Sequence, residues 1–180
     1  MDIGFIGLGV MGAPMAGHLA RAGHRLTVLD ADRARTAQVA QEIGAQPAAT
    51  PAEVARASEV IVTMLPDGQV VQRVVTGDDG VLHGVRPGAL LLDTSSAEPW
   101  LTEQTAAALA ERGATMVDAP VSGAAWGAAD ASLVFMVGGS QADVARVRPL
   151  LERMGRSVHH LGGLGCGHAM KCLNNCITAM

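Results

Sequence analysis

Residues 2–12 read Asp-Ile-Gly-Phe-Ile-Gly-Leu-Gly-Val-Met-Gly and decide the fold. Apolar residues lead into a G-x-G-x-x-G turn, after which apolar residues recur at helical spacing. A second apolar run from Leu26 to Leu29 then ends on Asp30. A strand, a glycine-rich turn, a helix, a second strand and a distal acid in this order predict the first βαβ unit of a doubly wound sheet.

The glycine turn also predicts a ligand. Its first glycine permits a tight turn, its second lets a pyrophosphate approach the backbone, and its third lets the helix pack closely. The N-terminus of the helix offers free N–H groups to phosphates. Asp30 is placed to bind both ribose hydroxyls and to repel a 2′-phosphate, which favours NAD over NADP, although Arg33 nearby leaves NADP open. The predicted cofactor residues here are Gly7, Leu8, Gly9, Val10, Met11, Gly12 and Asp30.

Composition narrows the class of protein. The chain has 180 residues, of which 49% are hydrophobic and 17% charged, so it is long and apolar enough for a folded core. A net charge of −4 opposes a nucleic-acid partner, and we expect no membrane span because no apolar run is long enough. The 3 cysteines do not form a paired disulfide framework, and together these features predict a cytoplasmic protein.

Strand and helix patterns alternate along the whole chain, which predicts an α/β fold with a mostly parallel sheet covered on both faces. Ligands of such sheets lie beyond the carboxyl ends of the strands. Three such ends are rich in polar or turn-forming residues, namely 64–67, 93–96 and 118–123. Individually, Pro66 and Pro99 also fit turns or helix starts, and Ser95 and Ser96 also fit helix caps.

The last segment contains the chain's one lysine, Lys171, among 13 Lys and Arg residues. Asn175 follows at a spacing of four and shares its helix face. A lysine can exchange a proton when its pKa is lowered, so Lys171 is a candidate general acid or base. The alternative is a lysine that extends to solvent from a helix start. His168, Cys172 and Cys176 lack paired zinc-ligand spacing, so we predict no metal site and expect the thiols to pack on the buried helix face.

Four motifs in order resemble the β-hydroxyacid dehydrogenase family, which includes 3-hydroxyisobutyrate dehydrogenase and shares the NAD-binding domain type of 6-phosphogluconate dehydrogenase. The resemblance covers the whole chain. The motifs are Gly4–Gly12 through Met15-Ala16, Thr63-Met64-Leu65-Pro66, Asp118–Gly123 with Gly127-Ala128, and Gly165-x-Gly167-x-x-x-Lys171-x-x-Asn174-Asn175.

The resemblance implies an NAD-dependent oxidoreductase that moves a hydride between nicotinamide and the 3-hydroxyl carbon of a short 3-hydroxy acid, or reduces the semialdehyde. Lys171 would be the general acid/base and Asn175 would help to hold the substrate. Ser122 and Gly123 would bind the substrate carboxylate. The residues implied on the nicotinamide side are Met64, Leu65, Pro66 and Ser96.

The sequence departs from the family at two points. Ala124, a further substrate-binding residue by the resemblance, stands where the family usually has a second glycine, and Trp126 follows closely, so the pocket is expected to differ. Family members also continue into an all-helical domain that closes the cleft and forms a homo-oligomer. The resemblance therefore implies a dinucleotide-binding domain over residues 1–162 and the start of the interdomain helix over 163–180. Two alternatives stay open, namely a catalytically inactive NAD-binding fragment and a dinucleotide-sensing module.

Overall fold

The computed structural model describes residues 1–178 as alternating strands and helices. The strands are β1 (Asp2–Ile6), β2 (Arg25–Leu29), β3 (Gln46–Pro47), β4 (Val60–Thr63), β5 (Leu90–Asp93), β6 (Thr115–Asp118), β7 (Val121–Ser122), β8 (Leu133–Gly138) and β9 (Gly155–Gly162). The helices are α1 (Gly12–Arg21), α2 (Arg33–Ile43), α3 (Pro51–Arg56), α4 (Gly68–Thr76), α5 (Pro99–Ala110), α6 (Ala124–Ala129), α7 (Gln141–Met154) and α8 (Cys166–Thr178), with a 3₁₀ turn at Val81–His83. The predicted helical segment 163–180 includes Ala179 and Met180, which lie outside the described residues.

The described strands form one sheet of 9, in which β1 to β6 run parallel in the order β3-β2-β1-β4-β5-β6. The chain leaves β1 toward β2 and later returns to β4 on the other side of β1. The strand order therefore switches between β1 and β4, where sheets of this type bind ligands. β8 runs antiparallel to both β6 and β7, and β9 pairs in parallel with β8.

Alternate residues of each central strand pack on opposite faces of the sheet. In β4, Val60 and Val62 belong to a core that includes residues of α1, α2 and α7, whereas Ile61 belongs to a second core that includes residues of α3 and α4. Strands buried on both faces explain the continuous apolar runs in the sequence. The prediction of a doubly wound, mostly parallel α/β sheet is confirmed.

The prediction missed several short elements. The loop after β6 contains the two-residue strand β7 and the six-residue helix α6, and a further two-residue strand, β3, forms an edge of the sheet. The strand predicted over 132–138 forms as β8, but it runs against β6. Hydrophobic patterning reports how a strand is buried but not its direction, so the antiparallel part of the sheet could not be derived from it.

Candidate active site

The turn between β1 and α1 requires glycine at two points. Gly7 has φ 97°, and a Cβ there would meet the backbone carbonyl of Met64. A Cβ on Gly12 would meet the carbonyl oxygen of Gly7, so the start of α1 lies directly against the turn. A Cβ on Gly9, in contrast, would meet nothing within 4 Å and would enter the open cleft that Gly9 lines. No side chain caps α1, so the first turn of this helix can bind a phosphate, and the residues fit the pyrophosphate of a dinucleotide.

Asp30 lies at the end of β2, beside the glycine turn. Its Oδ2 accepts a hydrogen bond from the Leu8 N–H at 2.7 Å, and its Oδ1 accepts one from the Asp32 N–H at 2.9 Å. Arg35 Nε donates to the Leu8 carbonyl at 2.8 Å, which fixes the same turn from the other side. These bonds hold the Asp30 carboxylate at the rim of the cleft, where it has further lone pairs to accept hydrogen bonds from ribose hydroxyls.

A cleft of about 690 Å³ runs along the carboxyl ends of β1, β2 and β4. We call it the glycine-loop cleft. Of the residues predicted to bind cofactor, it is lined by Gly7, Gly9, Val10, Met11, Gly12, Asp30, Met64, Leu65 and Pro66. Leu8 does not line the cleft, because its side chain is fully buried. Its backbone N–H acts on the site only by donating a hydrogen bond to Asp30. Leu29, Ala49 and Val74 add an apolar wall, which suits the flat face of an adenine ring.

A second cleft, of about 820 Å³, adjoins the first, because Met11 and Met64 line both. We call it the lysine cleft. Every predicted substrate residue lines it, together with Ser96 from the predicted cofactor set. The lining residues other than the two methionines are Ser96, Val121, Ser122, Gly123, Ala124, Trp126, Ser132, Val134, Arg156, Lys171, Asn174, Asn175 and Thr178.

Lys171 reaches this cleft from α8. Asn174, Asn175 and Thr178 lie three, four and seven residues further on and line the same cleft, so one face of the helix is polar and turned toward it. Partial burial disfavours the ammonium form and lowers the pKa of Lys171 below the ordinary lysine value of 10.5. Within residues 1–178, Lys171 has no hydrogen bond or ion pair that would restore that pKa.

The loop that starts at β7 forms another part of the wall of the lysine cleft. Ser122 ends this strand, and Gly123 follows with φ 134°, a backbone conformation that favours glycine. Ala124 has φ 52°, which lies in the left-handed region where a Cβ is strained. Alanine in place of the family's glycine therefore strains the backbone at this position and also adds a methyl group to the cleft. Trp126, on α6, is 68% exposed and lines the cleft.

A buried polar cluster holds α8 against the sheet. His168 is fully buried, its Nε2 donates to the Ser95 carbonyl at 3.1 Å, and its Nδ1 lies 2.7 Å from Thr102 Oγ1. Asp118 accepts hydrogen bonds from the N–H groups of Gly165 and His168, at 2.7 and 2.8 Å. Burial raises the pKa of Asp118, while the nearby imidazole of His168 opposes that rise. This cluster, completed by Asp93, sets the position of the helix that carries Lys171.

Two simpler interpretations of single residues are settled by these contacts. Ser95 is not a helix cap, because its Oγ accepts a hydrogen bond from the Leu65 N–H at 2.9 Å and joins the two strand ends. α5 has no side-chain cap, and Pro99 occupies its first turn, as one alternative expected.

The expectation of buried thiols is wrong, because Cys172 and Cys176 are exposed. The buried face of the first turn of α8 is occupied by Gly167 and His168 instead.

Sequence reasoning missed Arg156 and Thr178 in the lysine cleft, quoted Asn174 in a motif without giving it a role, and missed the buried role of His168. Asn174 and Thr178 could have been found from their helical spacing to Lys171. Among residues 1–178, no three His, Cys, Asp or Glu side chains are grouped to hold a metal ion. None of the helices in that described range has the length and apolar character needed to cross a bilayer.

The fold and the glycine-loop cleft define a dinucleotide-binding domain. More closely, the chain belongs to the family of the NAD-binding domain of 6-phosphogluconate dehydrogenase, whose family model matches residues 2–162. The chain is 43% identical over 179 residues to 3-hydroxyisobutyrate dehydrogenase of Pseudomonas aeruginosa and 41% identical over 179 residues to the NAD-dependent L-serine dehydrogenase of the same organism. Each alignment covers 99% of this chain and 60% of the relative.

The fold is also similar to that of a solved dehydrogenase structure. The Mycobacterium tuberculosis 3-hydroxyisobutyrate dehydrogenase, determined with L-serine, superposes with a TM-score of 0.93 at 38% identity, over 99% of this chain and 60% of that one. The predicted resemblance to the hydroxy-acid dehydrogenases, the enzyme class and the NAD cofactor are thereby confirmed at the level of the family. This chain spans about three-fifths of the length of these relatives.

Proposed function

We propose that the protein is an NAD-dependent dehydrogenase of short 3-hydroxy acids, with the reverse reduction of the semialdehyde as the same reaction run backward. One observation carries this proposal. The sole lysine, with a lowered pKa, lines a cleft that adjoins the glycine-loop cleft and that Ser122 and Gly123 also line. A proton-transfer group and an anion-binding loop thus lie beside the place where a nicotinamide would enter.

In the proposed reaction the substrate carboxylate accepts hydrogen bonds from the Ser122 hydroxyl and the Gly123 N–H. Asn175 donates a further hydrogen bond and orients the substrate along α8. Neutral Lys171 takes the proton of the 3-hydroxyl at Nζ during oxidation, and protonated Lys171 returns it during reduction. The bound nicotinamide supplies the hydride acceptor or donor. Met11 and Met64, which line both clefts, exclude water from the boundary between them.

The cofactor residues are proposed in corresponding roles. Gly9 gives the pyrophosphate access to the first turn of α1, Gly12 lets that helix pack against the glycine turn, and Asp30 binds the ribose hydroxyls. Leu65, Pro66 and Ser96 form the nicotinamide side of the site. We further propose that residues 1–162 are the cofactor domain and that 163–180 begin a helix of a second, cleft-closing domain that also makes the homo-oligomer. A cytoplasmic location stays a prediction.

A non-catalytic function has one observation in its favour. Leu173 and Ile177 on α8 are 54% and 65% exposed, so the apolar side of this helix is uncovered in the described chain. A protein in which that side stays uncovered would bind dinucleotide without closing a cleft around the substrate. This second candidate and the dehydrogenase differ in turnover and agree in NAD binding.

The test is NADH formation by the 180-residue chain with 3-hydroxyisobutyrate and a small panel of short 3-hydroxy acids. We expect Lys171→Ala to lower the rate by about 10²- to 10⁴-fold, the usual contribution of a general acid or base, and to leave NADH affinity unchanged. Lys171→Arg is the matched variant, because arginine keeps the charge but does not release its proton.

Three outcomes separate the candidates. Lysine-dependent turnover establishes the dehydrogenase. NADH binding without turnover in the unmodified chain favours the non-catalytic function for these 180 residues. Loss of NADH binding in Lys171→Ala would contradict the division of the site into two clefts with separate tasks.

A further inference from the structure

The lysine cleft contains a second cation that the proposed reaction does not use. Arg156, the second residue of β9, lines the cleft together with Lys171, and no Asp or Glu side chain is among the described residues that line it. Within residues 1–178, Arg156 makes no hydrogen bond or ion pair with another side chain. Two basic side chains thus line one cleft, although the chain as a whole has a net charge of −4. A cleft lined by charge of one sign favours a ligand of the opposite sign, here an anion.

A β-bulge directs Arg156 into the cleft. Leu133 of β8 pairs with Gly155, and Val134 pairs with Ser157, so Arg156 is an extra residue between two consecutive pairs. Strict alternation would put Arg156 on the face opposite to Ser157, and a bulge changes the direction of such a side chain. Because Val134 lines the cleft, the bulge lies directly at its wall.

The same register sets the distance between Ser122 and Ser157, the residue that follows Arg156. Val134 pairs with Ser122 on one side and Ser157 on the other. Two strand spacings of about 4.8 Å place the backbones of Ser122 and Ser157 roughly 10 Å apart. An extended arginine side chain spans much of that distance. A substrate carboxylate on Ser122 would therefore lie a few carbon atoms from the guanidinium of Arg156.

We propose that Arg156 forms a second anion subsite and that the preferred substrates are dianionic, namely 3-hydroxy acids whose C2 substituent ends in a second carboxylate. This proposal rests on the proposed function, since it places the first carboxylate on Ser122 and Gly123. The planar guanidinium binds the second carboxylate with two parallel N–H···O bonds. Trp126 lines the same cleft and contacts the apolar part of the substituent.

Ligand binding tests the subsite without turnover. The protein is the 180-residue chain saturated with NADH, in which a hydroxy acid forms a complex that cannot react. Trp100→Phe leaves Trp126 as the one tryptophan, so its emission reports occupancy of the cleft. The ligands are 2-(hydroxymethyl)butanedioate and its monoanionic isostere 2-(hydroxymethyl)-4-methylpentanoate, in which an isobutyl group replaces the carboxymethyl group.

We expect the dianion to bind more tightly than the isostere. Arg156→Gln should weaken the dianion about tenfold, the size expected for one charge-assisted pair at a solvent-accessible site, and leave the isostere within about twofold. Arg156→Lys should keep part of the preference. Arg153→Gln is the matched control, because Arg153 is an exposed residue of α7 that lines neither cleft. Added salt should reduce the preference in the unmodified chain.

The proposal is overturned if the dianion binds no more tightly than its isostere, if it gives no measurable binding, or if Arg156→Gln weakens both ligands equally. The two proposals fail in different ways. A dianion preference that depends on Arg156, without turnover that depends on Lys171, removes dehydrogenase activity from the 180-residue chain and keeps the subsite. Turnover that depends on Lys171, with no effect of Arg156→Gln on either ligand, removes the subsite and keeps the dehydrogenase.

Discussion

Lys171 can be studied as a single chemical group, because it is the only lysine of the chain. Partial burial lowers its pKa, and no described carboxylate pairs with it to raise the value again. We expect the labelling rate of Lys171 by an amine reagent, followed by peptide mass spectrometry, to rise with pH at a midpoint below 10.5. The same peptide in the chain unfolded by guanidinium is the control. Equal midpoints in the folded and unfolded chains would contradict the burial of this amine.

The direction of this shift also sets the pH dependence of the proposed reaction. Oxidation needs the neutral amine, so its rate should rise as pH rises through the lowered pKa of Lys171. Reduction needs the ammonium form, so its rate should fall over the same range. Lys171→Arg should remove this limb from both profiles, because arginine stays protonated.

At the scale of residues, the sequence predicted those parts of the site whose chemistry is local. The glycines of the first turn, Asp30 and Lys171 each carry a requirement that residue type and spacing express. Arg156 could not be found in this way, because its place in the cleft depends on a bulge in a strand pairing. His168 was visible in the sequence, but its partners Ser95 and Thr102 lie 73 and 66 residues away, on elements whose packing the sequence does not state.

At the scale of elements, α8 depends on the close approach of its first turn to the sheet. A Cβ on Gly167 would meet the Met136 carbonyl and the Asp118 carboxylate, so only glycine permits this distance. His168 then fills the space between α8, α5 and the end of β5. The helix that carries Lys171 is thus held by one buried side chain with two hydrogen bonds and two nearby carboxylates, Asp93 and Asp118.

Removing His168 should therefore loosen α8. We expect His168→Ala to lower the free energy of unfolding by about 3 kcal/mol, because it leaves a cavity and takes the imidazole away from buried carboxylates. Thr102→Val should cost about 1 kcal/mol, the typical value of one lost hydrogen bond. Denaturant unfolding measures both changes. His159→Ala, at an exposed position of β9, should stay within about 0.5 kcal/mol.

A second measurement separates positioning from stability alone. If His168 sets the place of α8, the labelling midpoint of Lys171 in His168→Ala should move toward that of the unfolded chain, because the amine becomes more hydrated. A large loss of stability with an unchanged midpoint would show that His168 supports the core without positioning Lys171.

The long helices could be predicted from the sequence, whereas the short strand and helix after β6 could not. The helices over Arg33–Ile43 and Gln141–Met154 have caps and apolar spacing that the sequence displays, including Asp32 and Ser140 at their N-termini. β7 and α6 are too short for a periodic pattern, and their glycine- and alanine-rich sequence fits several backbone conformations. Tertiary packing determines them, and they form one wall of the lysine cleft.

At the scale of the whole molecule, the order of the strands explains why two clefts adjoin. The switch between β1 and β4 opens the glycine-loop cleft, and the antiparallel turn through β7 and β8 forms the lysine cleft beside it. The sequence predicted the first cleft because its motif is contiguous. It predicted the second only through resemblance to a family, because Ser122 and Lys171 are brought together by the sheet.

Two glycines of the glycine-loop cleft allow folding and cofactor binding to be tested separately. Added NADH should raise the melting temperature of the unmodified chain, because a ligand that binds only the folded state stabilises it by about 2.7 kcal/mol at 100 times its dissociation constant. Gly9→Ala should melt at the unmodified temperature without cofactor, since its Cβ meets nothing within 4 Å. It should lose most of the rise with NADH, because the methyl group occupies the cleft where the pyrophosphate approaches the backbone.

Gly12→Ala is the matched variant, and in it we expect a loss of stability and not a loss of the rise with NADH. Its Cβ meets the Gly7 carbonyl, so α1 must move away from the turn and the melting temperature should fall before any cofactor is added. Thermal unfolding with and without NADH measures both variants. If Gly9→Ala kept the full rise with NADH, the cofactor would not approach the backbone at this turn. If Gly12→Ala melted like the unmodified chain, the close packing of α1 would not be needed for the fold.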